Sequence, residues 1–329
     1  MVDLQFEGME NMSDLHQHLG SSSTANFLWE LAHQQGIKLP EKDYWKFMQL
    51  VRMDSSVSFE EYVTRFFEIP ERIQSSPYAV ERSVHHAISY TYRKANAKLI
   101  EIRFNPMLRN RGGEHDLDKI ILASVIGMKK AVLEYPVSAG IILMMDRRFS
   151  KTKNEVIVDK AIKFHKDGIV GIDLGGPNRE GFDYQQIADA VAKAKEAGLG
   201  VTVHTGESTP AEDVWSAVEI LQPDRIGHGV RASDDAKLMK YLAKKNIVLE
   251  VCPTSNLRVK FVKDLKDMKR ILHKFMKYDV KFTINSDNPQ LLQTNVSNEM
   301  DLLYKNGILN KQQIEQCLKN SVEASFIRL

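Results

Sequence analysis

GIVGIDLGGPNREGFDYQQIADAVAKAKEAGLGVTVHTGE, residues 168–207, is the stretch that decides how this chain is read. Two short runs rich in β-branched residues, GIVGIDL (168–174) and LGVTVH (199–204), flank YQQIADAVAKAKEAG (184–198). That middle segment has helical period and stops at a glycine, as helix ends do. Strand, helix and strand thus follow one another with no Pro-, Gly- or Ser-rich linker. The alternation continues outward in both directions. Further strands are expected near Leu15 to His18 and at AKLIEIRF (97–104), SAGIILMM (138–145), DRIGHG (224–229), NIVLEVC (246–252) and VKFTINS (280–286). Helices such as ASDDAKLMKYLAKK (232–245) stand between most of them. Eight strands with intervening helices predict an α/β fold, a (β/α)8 TIM-type barrel forming a single domain over residues 1–329. Only the stretch from Ser21 to Asn96 breaks the rhythm, being helical throughout (ANFLWELAHQQG, FEEYVTRFFEI, AVERSVHHAISYTYRKA). It reads as a helical insertion after strand 1, lying over a strand end, where barrels of this kind keep their active sites.

Composition narrows the function classes. The chain has 329 residues, 43% hydrophobic and 27% charged, enough to bury a large core. Its 45 Lys and Arg against 43 Asp and Glu leave a formal charge of +2, too little to draw it to nucleic acid or an anionic membrane. Two cysteines, Cys252 and Cys317, make no disulfide framework, which suits a reducing cytoplasm. MVDLQFEGMENMSDL at the start carries acidic groups and no apolar run, so neither a signal peptide nor a membrane anchor is expected there, and the cytoplasm is the expected location. The basic segment at 258–277 alternates its charges at helical period and reads as a solvated helix face. Nothing in the sequence sets an oligomeric state.

HTGE (204–207) places His204 and Glu207 directly after a run that reads as a buried strand. His16 and His18, two residues apart on a strand, project to the same side, toward the mouth of a barrel. His228 ends the sixth candidate strand and Asp287 follows the eighth. Ligand-type residues at several strand ends, scattered along the chain, are what a barrel site requires. By contrast His33, His85, His86, His115, His165 and His273 fall in helical or loop stretches and read as surface or capping residues. Neutral imidazoles with one carboxylate suit Zn²⁺, although Fe²⁺, Co²⁺ or Mn²⁺ would also be accepted. Zinc with an open position lowers the pKa of bound water to about 7, which points to hydrolysis.

At this point the sequence resembles the adenosine deaminase family of the metal-dependent amidohydrolase superfamily. The resemblance is carried by DLHQHL (14–19), EIRFNP (101–106), GIDLGG (171–176), HTGE (204–207), RIGHGV (225–230), EVCPTSN (250–256) and NSDNP (285–289). It spans nearly the whole chain and implies deamination of an aminopurine to a 6-oxopurine and ammonia. It further implies one Zn²⁺ per chain on His16, His18, His204 and Asp287, with Glu207, His228 and Asp287 as catalytic groups. His18, Gly176 and Asn288 match substrate-binding positions, and the implied partner is a small purine. Glu207 corresponds to the acid that protonates the ring nitrogen beside the attacked carbon, and His228 to the group that steadies the charge of the addition step. Of the aromatic residues Phe59, Tyr62, Phe66 and Phe67, most are expected to pack on the barrel, with one or two forming a lid. Asp14 and Asp173 read as structural, and Cys252 and Cys317 as inert.

Two departures leave the substrate open. Gly20 stands after HQHL where adenosine-specific members carry Asp, and Asn288 where a second Asp is frequent. Adenosine, adenine, AMP and adenosines modified at the 5′ or N6 position all remain, with Ser21, Ser22, Ser23, Asn105, Arg109 and Arg111 as substitute contacts. Another metal-dependent hydrolase on the same barrel, or a silent purine-binding protein, is the alternative. No Lys ends the fourth strand to bridge two metals, and a binding protein would have no use for Glu207.

Overall fold

A computed structural model describes residues 12–58, 61–62, 66–177 and 181–328. Its described residues form eight parallel strands in sequence order: β1 Ser13–His18, β2 Leu99–Phe104, β3 Ser138–Asp146, β4 Ile169–Gly175, β5 Gly200–Thr205, β6 Arg225–His228, β7 Val248–Val251 and β8 Phe282–Ile284. Strands flanked by helices are buried on both faces, which is why IIL (141–143) and IVL (247–249) read as apolar runs without alternation. The barrel reading of the sequence holds.

Closure uses few bonds. β8 ends at Ile284, and the chain then crosses to β1, where the Asp287 N–H donates to the His16 carbonyl (2.8 Å) and the His18 N–H to the Asp287 carbonyl (2.9 Å). The Leu15 N–H adds a bond to the Asn285 side chain at 3.1 Å. Asp287 therefore lies beside the β1 histidines because the barrel seam itself puts it there.

The long helical stretch divides in two. Helix Pro77–Ala95, started by the Ser76 hydroxyl accepting from the Ala79 N–H with Pro at the first position, joins the outer ring. Its Val80, Val84, Ala87 and Ile88 belong to the main core. Gly127 of the neighbouring helix Leu117–Glu134 lets the two approach closely, since a Cβ there would stand 2.2 Å from the Glu81 carbonyl oxygen. Helices Ala25–Gln34, Tyr44–Leu50 and Glu68–Ile73 instead gather a small core of their own around Leu28, Leu31, Phe47 and Ile73. Tyr62 and Phe66 pack with Leu291 and Leu292 near the barrel mouth, with half-buried Phe67 against them; Phe59 lies outside the described residues. The basic 258–277 segment is not one helix: helix Pro253–Arg258 ends at its first residue, residues 259–264 are irregular, and helix Leu265–Lys277 follows. Among the described residues no helix is long and apolar enough to cross a membrane.

The barrel interior is polar where bulky branched apolar residues commonly fill it. Glu101, Arg103, Asp173, Thr202, Arg225, Glu250 and Thr283 are all fully buried. Arg103 pairs with Asp173 (3.0 Å) and Glu250 (2.9 Å), while Arg225 pairs with Glu250 (2.7 Å) and with Glu101. Below them the tail closes the barrel: Glu101 accepts from the Ser325 hydroxyl and the Phe326 N–H, and the Phe326 ring lies 3.6 Å from the Arg225 guanidinium.

Candidate active site

Four imidazoles converge at the C-terminal ends of the strands. The His16 ring centroid stands 5.3 Å from that of His18, 4.6 Å from His204 and 4.8 Å from His228. The His18 and His204 Nε2 atoms face each other at 3.1 Å. Asp287 completes the group, its Oδ1 lying 3.6 Å from His16 Nε2 and 3.3 Å from His18 Nε2. Positions 16, 18, 204, 228 and 287 are thereby brought together, as the sequence predicts.

The far side of each ring explains the near side. His16 Nδ1 donates to Glu250 at 2.7 Å, and His204 Nδ1 to Asp173 at 2.9 Å. A carboxylate behind Nδ1 fixes the tautomer and turns the Nε2 lone pair into the site. Burial holds His18, His204 and His228 below the ordinary histidine range, so all three are neutral. The 3.1 Å between the His18 and His204 Nε2 atoms lets one imidazole donate to the other, and the same two atoms lie close enough to share a cation. His16 Nε2 and Asp287 Oδ1 are moreover fully buried with no hydrogen-bond partner, an arrangement that costs free energy if nothing binds there. Burial by itself would raise the Asp287 pKa, but the neighbouring imidazoles, His16 first and then His228 and His18, hold it well below the usual range, and it stays ionised. The residues fit a divalent cation held by three imidazole nitrogens and one carboxylate oxygen. A second grouping, His16 with His228 and Cys252, fits less well, because burial pushes the Cys252 thiol far above its ordinary pKa and keeps it protonated.

Glu207 stands one turn beyond β5. Burial, reinforced by the Asp287 charge, raises its pKa to about 8, so it carries a proton at neutral pH. Asn256 donates both to Glu207 (3.4 Å) and to His228 Nδ1 (3.2 Å), leaving the His228 proton on Nε2. His228 (φ 62°) and Asp287 (φ 59°) both adopt the left-handed conformation, unusual outside glycine, where the chain turns each side chain over the mouth.

Glu207, His18, His228, Asp287, Gly176 and Asn288 line one cavity of about 780 Å³. Gly176 has φ +83° and a Cβ there would stand 2.5 Å from Asp146. Asn288 is held by Ser21 and by the Tyr62 hydroxyl, which places Tyr62 in the cavity wall. Asp14 and Asp173 sit where a structural role predicts: Asp14 accepts from Ser286, and Asp173 orients His204. Of the other histidines, His165 and His273 bond backbone carbonyls, while His86 stacks between Phe27 and Tyr90. Arg103, Glu250 and Asn256 have no assigned part in the sequence reading. For Arg103 and Glu250 the signal is nonetheless visible, charged residues within otherwise apolar strands in EIRF (101–104) and VLEV (248–251); Asn256 carries none.

Comparison with known proteins follows this geometry. The family model described as Adenosine deaminase matches residues 12–329. An adenosine deaminase of Clostridium botulinum (strain 657 / Type Ba4) is 32% identical over 316 residues, covering 95% of this chain and 93% of that protein. Among solved structures, the adenine deaminase of Arthrobacter aurescens superposes with a TM-score of 0.85 at 22% identity, covering 97% of this chain and 94% of the other. An amidohydrolase from Burkhoderia ambifaria with bound Zn gives 0.83 at 22% identity, covering 96% and 86%. At such identities the two structures speak for the fold.

Proposed function

We propose, for a chain that belongs to the adenosine deaminase family, that it hydrolyses the 6-amino group of a purine nucleoside or base, releasing ammonia and a 6-oxopurine, with Zn²⁺ as its cation. The family is metal-dependent, and His16, His18, His204 and Asp287 would hold the ion. The observation that carries the reading is a neutral carboxyl, Glu207, in the same cavity as buried histidine nitrogens and an unpartnered carboxylate oxygen.

Bound there, the cation supplies Lewis-acid activation of water at neutral pH. The chain's own groups do the rest. Glu207 gives its proton to the ring nitrogen next to C6, drawing electrons from that carbon so that an oxygen nucleophile can add. Asp287, ionised, would accept the proton that the attacking water loses on the carboxylate oxygen not given to the ion. His228, protonated on Nε2 by virtue of Asn256, donates toward the oxygen on which negative charge gathers. Asp287 then passes its proton to the amine, ammonia leaves, and the hydroxyl on C6 gives up its proton to return Glu207 to the acid form, leaving the 6-oxopurine. Gly176 brings backbone against the purine, and Asn288, positioned by Ser21 and Tyr62, retains an N–H for the ring.

Metal-loaded protein is tested against adenosine, adenine, AMP and 5′- or N6-modified adenosines, following the change in ultraviolet absorbance as the amino group is lost. Turnover of at least one is expected. No change with any member of the panel rejects the purine class, and elemental analysis of the protein as purified decides between zinc and the other divalent metals.

A further inference from the structure

Resting on the aminopurine reading, we propose that one wall of the cavity is an oxyanion subsite built on Arg109 and Arg111, so that the substrate carries a phosphate or carboxylate on its N9 substituent. Arg109 is only 2% exposed, and its Nε and Nη1 are buried without a hydrogen-bond partner. A buried guanidinium normally satisfies its fork of donors, and leaving them unmade is costly. The nearest carboxylate does not supply what is missing. Glu71 lies 3.7 Å from Arg109 Nη1 and 3.7 Å from Arg111 Nη2, beyond hydrogen-bond distance to either. One carboxylate is thus shared by two guanidiniums, while Arg148, also within electrostatic reach of Glu71, has its own partner in Asp146. This wall keeps an excess of positive charge.

Gly20 opens the wall. No left-handed backbone angle requires glycine at this position, and the nearest atom a Cβ would meet is Arg109 Nη2, at 3.1 Å. Without a side chain, the edge of the guanidinium stays open to the cavity that Gly20, Arg109 and Arg111 line together. Substrate geometry points the same way. With C6 at the histidines, N9 lies on the opposite edge of the bicyclic ring, and its substituent runs into the remainder of a cavity of about 780 Å³, larger than a bare purine needs. A planar guanidinium fork matches the oxygens of phosphate or carboxylate, and charge-assisted bonds to it are stronger than those a sugar hydroxyl can make.

The test measures kcat/KM for adenosine, AMP and adenosine-5′-carboxylate, together with calorimetric binding of the products inosine, inosine 5′-monophosphate and inosine-5′-carboxylate. At least one anion is expected to exceed its neutral counterpart by about 10- to 100-fold in both measurements, the worth of hydrogen bonds to a charged group. Which anion prevails identifies the source of the oxyanion. Arg109→Gln and the half-exposed Arg111→Gln should each shrink that ratio, whereas a merely structural role would slow neutral and anionic substrates alike and leave the ratio untouched. Equal binding of all three products by the wild-type protein, or an anion preference that survives both substitutions, overturns the subsite. Should no aminopurine be deaminated, the product-binding arm still decides, so failure of the deaminase reading is told apart from failure of this one.

Discussion

Replacing Glu207 by Gln removes a transferable proton while keeping nearly the same shape. A carboxyl with a pKa of about 8 is about 90% protonated at pH 7, whereas at the ordinary 4.5 it would be about 0.3% protonated. Burial therefore raises the acid form at neutral pH roughly 300-fold, which is how a glutamic acid can serve as proton donor under these conditions. The amide cannot donate an acidic proton to the ring, so kcat/KM is expected to fall by about 10² to 10⁴. Absorbance assays at saturating metal measure it, with metal content and melting temperature checked to match the wild type. The wild-type profile should decline as pH rises through about 8, where Glu207 loses its proton. Stability carries the same sign: with the folded pKa above the unfolded value, it falls progressively from about pH 4.5 to 8, where Glu207 is ionised in the unfolded chain but still protonated in the fold, and the Gln variant lacks that decline. A variant within tenfold of wild-type turnover, or a wild-type rate that stays level from about pH 7 to 9, would refute the assigned role.

Asp173→Asn exchanges the acceptor behind His204 Nδ1 for an amide, and metal affinity should drop about 10- to 100-fold in chelator competition; unchanged affinity would show that His204 does not bind the ion. Glu299, fully buried and accepting from the Thr254 N–H and the Thr294 hydroxyl, is raised by burial to about 7. Its contribution is present below the unfolded value of 4.5 and is lost as pH rises through 7, a span of about 3 kcal/mol. Denaturation of Glu299→Gln across that range should give a flatter pH dependence than wild type, and identical curves would count against the buried acid. Gly200→Ala sets a methyl 2.1 Å from the Phe326 ring, which should destabilise by about 1–3 kcal/mol in thermal melts by displacing the ring beneath the barrel. A melting point equal to wild type would mean that this ring is not held where it lies.

The barrel was legible because its elements declare themselves locally: β-branched runs, helical periods and glycine stops recur at strand–helix spacing from β2 to β8. His16 and His18 were legible for the same reason, since alternation along a strand sends residues two apart to one side. Strand alternation equally marks Glu101, Arg103 and Glu250 as inward-facing, yet assigning them roles required knowing which carboxylate meets which guanidinium across the barrel, and no local rule supplies that. Arg109 and Glu71 show the limit more sharply, for they lie in separate helical segments and neither carries a pattern that names the other.

The sequence by itself determined the parallel barrel and which histidines and acids stand at its strand ends. Only the tertiary structure decided how far those groups stand from one another, which carboxylates back His16 and His204 and how deeply Glu207 is buried. The division has a physical cause. Secondary structure follows from interactions a few residues apart, whereas tautomer, pKa and ligand reach are set by atoms brought within a few ångströms from strands hundreds of residues apart, as at the seam that carries Asp287 to His16.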